Sequence, residues 1–444
     1  LSTIFLNGLM PDRHSLFIRR LAARHTVAGT HLDGLTDLRA GRFLDYAADR
    51  DLMRSPLAEG FEGRLAEQIR ILAGNLAADL RSSPVGPGPD WRLDPAFIEE
   101  SLRPRVTALL TQDLRFRVFA QQHPVDLVVS GSDYASHSRV IALAARDMGL
   151  PTLNLEHGFF FNQIASEHRL PRGRMPLIFA SEYVNLDNDL EKEWFEQERA
   201  RFPHQDLRFL SLGTPVDSVA SQALSRSEAT AALGLNPDKV QVMLAGSWLE
   251  ARSAQALVAA QVDTVDLYEN LFRSLAADDF RHRMQLTIKL HPADARPDVL
   301  PGVVAGLADL ADDCGLVRPL ILSDRLPEVL GAADVVLALG YSSVLYDAFL
   351  LGKPSVAVFP RVLAHSDKPD WMTRSTAPQR AGVSVATTDG AEAWRLAQAW
   401  LEPERQRRFA ADHLAFSDRY GLRQRTPTQK CDAVIGWIEQ QLAG

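Results

Sequence analysis

The chain has 444 residues, 46% of them hydrophobic, with a formal net charge of −8 at pH 7. That length exceeds what one core ordinarily serves, so two domains are expected, and the acidic balance argues against nucleic acid as a partner. Cys314 and Cys431 are the only cysteines, which excludes a disulfide framework, and no apolar run approaches the ~18 residues of a membrane span or forms a signal core, so a soluble cytoplasmic protein is expected.

The chain opens on a short β-like run, Thr3 to Leu6, closed by Asn7-Gly8. Ser15 to His25 has helical spacing, and Thr26 to Leu32 reads as a second strand. The first loop lacks G-x-G-x-x-G, so a dinucleotide fingerprint is not supported. Leu44 to Leu80 reads as mostly helical, Ser82 to Pro89 as an exposed Pro/Gly loop, and Phe97 to Gln122 as helix again. Val125 to Ser130 reads as a buried strand running into Gly131-Ser132-Asp133, followed by a helix over Ser138 to Met148. Further strands are expected at Thr152 to Glu156, leading into His157-Gly158, at Ile178 to Ser181, and at Arg208 to Leu212.

Strand–helix alternation pauses near Val216. Ser225 and Glu228 have capping-box spacing and open a helix running to about Leu233. Strands follow at Val240 to Leu244, before Ala245-Gly246-Ser247, and at Leu286 to Leu290, before His291-Pro292. Val317 to Leu320 reads as another short strand. The clearest unit is Ala332 to Pro360: strand Val335 to Leu339, break Gly340-Tyr341-Ser342-Ser343, helix Val344 to Leu351, strand Ser355 to Phe359. Helices over Ala391 to Leu401, Pro403 to Phe416 and Lys430 to Leu442 close the chain. The expected fold is α/β, with two doubly wound Rossmann-like domains facing a cleft. The division is 1–220, 221–415, and a helical segment 416–444 that crosses back toward the first domain. The first residue, Leu1, leaves the native N-terminus open.

In open α/β sheets ligands sit beyond the carboxyl ends of strands, where a helix start offers free N–H groups to an anion. Ser342 and Ser343 stand at such a start, flanked by Tyr341 and Asp347. One serine is accounted for by helix capping, and Asp347 by the helix dipole; the pair points to a phosphate group. His291, with its backbone restricted by Pro292, could hydrogen-bond or protonate a departing phosphate. Lys289 is read as facing a sheet flank. Gly246-Ser247 offers further backbone N–H groups. In the first domain, His157 or Asp133 could take a proton from an acceptor hydroxyl; a packed histidine and an Asx turn are the bland readings. Asp187-Asn188-Asp189 is a D-x-D by letters but reads as a solvated acidic helix face. No H-E-x-x-H is present, and no metal or other cofactor is expected.

Four stretches together resemble GT-B transferases, specifically the CDP-glycerol glycerophosphotransferase and capsule polysaccharide (Kdo transferase-like) group. They are Leu153 to Gly158, Val242 to Trp248, Ile288 to Pro292, and Ala332 to Asp347, in that order. The resemblance implies a GT-B fold and a nucleotide-activated sugar or glycerophosphate donor, CMP-, CDP- or UDP-linked. His291, Ser342 and Ser343 would contact its phosphates and His157 would act as base. It further implies a glycan, lipid-linked or protein acceptor in bacterial surface glycan synthesis, at the inner membrane face if the acceptor is lipid-linked. Family members usually carry a loop like A-P-T where this chain has Ala245-Gly246-Ser247. Two other readings stand beside it: a nucleotide-sugar epimerase of the same architecture, and a non-catalytic two-domain binding protein.

Overall fold

The computed structural model describes residues 2–9, 11–30, 42–46, 56–82, 95–131, 136–155, 179–197, 206–215, 222–246, 255–291, 294, 297, 300–339, 342, 344–358, 384–420 and 425–443. Its strands form two parallel sheets. The first has the order β3-β2-β1-β4-β5-β6-β7. These strands are β1 Thr3–Asn7, β2 Thr26–Gly29, β3 Arg42–Asp45, β4 Leu127–Ser130, β5 Thr152–Leu155, β6 Tyr183–Asn185 and β7 Arg208–Leu210. The second has the order β10-β9-β8-β11-β12-β13. Its strands are β8 Val240–Ala245, β9 Met284–Lys289, β10 Leu320–Leu322, β11 Val335–Leu339, β12 Ser355–Val358 and β13 Val385–Thr387. This is the two-sheet, doubly wound α/β architecture expected of a GT-B chain.

The continuous apolar runs follow from burial on both faces of each sheet. In β1, Ile4 and Leu6 join one core while Phe5, between them, joins the other, as the two-residue period of a strand requires. The Phe5 side is aromatic: Phe116, Phe119 and Tyr46 meet its ring edge-on at 4.9–5.6 Å. The Ile4 side is covered by helix α1 (Pro11–Ala22) and by the last helix of the chain (Pro427–Ala443). Cys431, Val434, Ile435 and Ile438 of that last helix are buried against the first sheet. Arg20 of α1 pairs with Asp432, and Arg24 with Glu439 at 3.1 Å.

Several expected elements are displaced. The stretch 44–80 is not uniformly helical: Leu44 lies in β3, paired with Ala28, and the helix α2 is Phe61–Ser82. The strand expected at 178–181 is instead Tyr183–Asn185. Phe179 and Ala180 are buried without joining the ladder, and the Thr152 hydroxyl accepts from Glu182 N at 2.8 Å where the pairing begins. The strand expected at 317–320 is Leu320–Leu322, and Val317 is exposed. The loop at 83–94 lies outside the described residues. The Ser225–Glu228 capping box is present on the helix Arg226–Leu233. From that helix, Arg226 donates to Asp334 at 2.8 and 2.9 Å, fixing the entry to β11.

Each sheet reverses its strand order once. In the first the reversal lies between β1 and β4, in the second between β8 and β11. Such a switch point opens a crevice at the carboxyl ends of the strands. At the first, Gly8 (φ +66°) follows β1 and Gly131 follows β4; a Cβ on Gly131 would stand 2.6 Å from the Gly8 carbonyl oxygen. Gly131→Ala is therefore expected to force these two strand ends apart and to lower stability by about 1–3 kcal/mol. A urea midpoint equal to that of the wild type would show that the ends are not packed this tightly.

Candidate functional site

The carboxyl edge of the second sheet brings together three of the residues singled out in the sequence. Gly246 follows β8, His291 lies two residues beyond β9, and Ser342 lies between β11 and the helix Val344–Leu350. Strands β9, β8 and β11 are successive neighbours, so the three residues follow strand ends that lie about 5 Å apart from one strand to the next. Gly246 and Ser342 flank the switch point itself.

Local chemistry fixes each turn. Gly246 N donates to Lys289 O at 2.8 Å, which folds the β8 turn onto the end of β9 and, against the expectation for this turn, leaves the Gly246 N–H unavailable to an anion. A Cβ there would stand 3.1 Å from the Tyr268 hydroxyl and 3.4 Å from Lys289 O, so a side chain would crowd the turn. Tyr268 is fully buried, and its hydroxyl has no hydrogen-bond partner among the described residues. Burial, then the nearby Asp294 carboxyl, push its phenol up. Lys289 does not lie along a sheet flank. Its side chain is 7% exposed, and its ammonium donates to Leu290 O at 2.7 Å and Ser323 O at 3.1 Å. His291 is half-buried, and its carbonyl accepts from Asp294 N at 2.9 Å, tightening the turn.

Ser342 caps the helix that follows it: its hydroxyl accepts from Val344 N at 3.3 Å and its carbonyl from Leu345 N at 3.1 Å. Capping thus employs one serine, as the sequence pattern allowed. Asp347 lies in the first turn of that helix. Tyr341, Ser343, Ser247, Asp133 and His157 lie outside the described residues. The strands that lead into Asp133 and His157, β4 and β5, pair directly.

The sequence reading misplaced the D-x-D stretch. Asp187 follows β6, and its side chain is only 11% exposed rather than lying on a solvated face. It accepts from Lys430 Nζ at 2.6 Å, from Thr214 N at 2.9 Å and from the Tyr346 hydroxyl. Asn188 is also buried, whereas Asp189 is exposed and begins the helix Asp189–Gln197. Burial alone would raise the Asp187 carboxyl. The Lys430 charge and the donated hydrogen bonds overcome that and hold it below its ordinary value. Glu191, also buried, accepts from Asp187 N at 2.9 Å. Burial, followed by the Asp187 charge, pushes Glu191 up to about 8, so it is a neutral acid at pH 7. Tyr346 is pushed far up by burial and then by Asp187, and remains a donor. The cluster therefore holds one carboxylate and one ammonium, with balanced charge.

This arrangement has a pH signature. Glu191 titrates at its ordinary 4.5 when unfolded and at about 8 when folded. The folded chain thus holds the extra proton between those values, and stability falls as pH rises through that window. Asp187 is shifted the other way, so its effect lies below its ordinary 3.8. Glu191→Gln keeps an oxygen to accept from Asp187 N and cannot ionise. Relative to the wild type, its stability is expected to improve from pH 5 to pH 8 by up to about 1.4 kcal/mol per pH unit. Parallel urea midpoints across that range would contradict this protonation state.

No family model matches the chain, and no curated protein matches it in sequence. Among solved structures, the UDP-GlcNAc 2-epimerase of Neisseria meningitidis bound to UDP-GlcNAc has a TM-score of 0.50 at 12% identity, over 100% of both chains. MurG of Acinetobacter baumannii has 0.47 at 12% identity, over 99% of this chain and 100% of that one. The wall teichoic acid polymerase TagF, soaked with CDPG, has 0.48 at 13% identity, over 100% of this chain and 88% of that one. At such identities the likeness to the epimerase is one of fold alone.

Proposed function

We propose that this chain is a metal-independent GT-B transferase that moves a sugar or glycerophosphate from a CMP-, CDP- or UDP-linked donor to an acceptor hydroxyl, in the synthesis of a bacterial surface glycan. The observation that carries the reading is the meeting of Gly246, His291 and Ser342 at adjacent strand ends, with two of them flanking the switch point. A glycine turn that lets a phosphate approach the backbone, an imidazole and a hydroxyl at a helix start suit a diphosphate; the Gly246 N–H is spent on Lys289 O, so the donors of this set are His291 and the serine corner.

In this scheme the bond from the transferred group to the donor phosphate breaks as the acceptor oxygen attacks. Negative charge gathers on the departing phosphate, where groups already in place stabilise it without reorganisation. His291 hydrogen-bonds or protonates that phosphate. Ser343, Tyr341 and Ser247, next in sequence to Ser342 and Gly246, would add further contacts to the phosphates. His157 or Asp133, beyond the paired ends of β5 and β4, removes the acceptor proton. A lipid-linked acceptor would bring the enzyme to the inner face of the membrane. Among the described residues no helix is long and apolar enough to cross one.

A thermal-shift panel of CMP, CDP, UDP, ADP and GDP tests the reading. Stabilisation by a pyrimidine nucleotide and not by purine nucleotides is expected, with cytidine preferred if the CDP-glycerol resemblance holds. No shift with any nucleotide would overturn the proposal. Donor turnover with no dependence on an acceptor would instead favour an epimerase.

A further inference from the structure

The helix that carries the serine corner, Val344–Leu350, is short, and it is gripped at two points by distant parts of the chain. Phe349 O is held by the His413 ring at 2.6 Å; His413 is itself buried and stacked on Phe409. Tyr346, one turn from Ser342, donates its hydroxyl to Asp187 at the end of β6 in the first sheet. Asp187 is in turn held by Lys430 of the closing helix and by Thr214 N beyond β7. Asn185 braces the same loop: it donates to Gly213 O at 2.9 Å and accepts from Leu212 N at 3.0 Å. One carboxylate thus joins the first sheet, the closing helix and the helix behind the corner.

We propose that Asp187 and Tyr346 are positioning residues: through their buried hydrogen bond the first sheet sets the placement of the Ser342 corner, and nucleotide affinity at that corner depends on it. This rests on the transferase reading for the identity of the ligand. The physical basis is that a seven-residue helix has little stability of its own, since nucleation is unfavourable and few backbone bonds follow it. Its position is decided by what holds its side chains. Asp187 is an effective anchor because three donors fix it in a site nearly closed to water, where a charge-assisted bond is stronger than at a surface. The corner is therefore preorganised by residues that need not touch the nucleotide.

Tyr346→Phe keeps the ring and deletes only the hydroxyl, leaving Asp187 its bonds from Lys430 and Thr214. The test uses the full chain, with CDP and UDP as probes, and compares wild type, Y346F, Ser342→Ala and the double variant by calorimetry. Amide hydrogen exchange of residues 344–350 is followed without nucleotide. The expected result is a dissociation constant about tenfold weaker for Y346F, with faster exchange in that helix. The Ser342→Ala effect should shrink in the Y346F background, because both act through one corner. A purely structural contribution would leave the two effects additive, and additivity overturns the proposal. So does unchanged affinity in Y346F. If the wild type binds neither nucleotide, the transferase reading fails separately; exchange then decides, with faster exchange supporting the joint and unchanged exchange refuting it.

Discussion

Replacing Lys430 by methionine is expected to destabilise the protein by about 3–5 kcal/mol, the cost of leaving a buried carboxylate without its counter-charge. Methionine is the informative choice because the aliphatic stem has a packing role. A Cβ on Gly213 would fall 2.6 Å from Lys430 Cγ, so the stem lies directly over that glycine. Methionine retains most of the stem and removes the charge that holds Asp187 below its ordinary range. Among the described residues, Asp187 would keep Tyr346 and Thr214 N as donors. The carboxylate would then stay charged at a cost, or take up a proton as Glu191 already does. Adding Asp187→Asn to Lys430→Met should restore much of the loss, since no buried charge remains. Urea unfolding of the two single variants and the double variant measures this coupling; additive losses would mean that the two groups do not share one site.

The second large effect concerns the chemistry. His291→Ala is expected to lower transfer by about 10²–10³-fold, the range found when one preorganised donor to a developing negative charge is removed. The fold should survive, because His291 is half-buried in a turn beyond the strand end. Measured with the donor identified by the nucleotide panel, the loss should fall mainly on kcat if His291 acts on the departing phosphate. A loss confined to KM would mean that the imidazole only binds. Unchanged turnover would remove His291 from the mechanism.

The stretch around the serine corner was readable almost to the residue. Strand Val335–Leu339 has the bounds its apolar run suggested, and the helix after it ends one residue earlier than expected. Such runs are legible because a parallel strand covered on both faces has no polar positions to blur its ends. β3 was not legible: it is an edge strand of four residues next to a long helical pattern, and its pairing with β2 is a tertiary fact. The strand at Tyr183–Asn185 was missed because the neighbouring Ile-Phe-Ala run is more apolar. Phe179 nevertheless serves the core through Phe195 and Phe209 rather than through the ladder.

Asp187 shows why the candidate site was only partly visible. Its local surroundings, Asp187-Asn188-Asp189 ahead of an acidic helix, have the pattern of a solvated face. What buries it is Lys430, 243 residues away, and Tyr346, 159 residues away, and no periodicity connects positions so far apart. Lys289 was misjudged for a related reason. Strand alternation gives the side of the sheet from which a side chain departs, not that a long side chain bends over the strand end to reach the Leu290 and Ser323 carbonyls.

Crystals soaked with CDP or UDP, whichever the panel selects, provide the most direct measurement. The diphosphate should appear at the carboxyl ends of β8 and β11, within hydrogen-bonding distance of the Gly246 turn, His291 and the Ser342 corner. Diphosphate density in any other part of the molecule, at full occupancy and with this edge empty, would contradict the account.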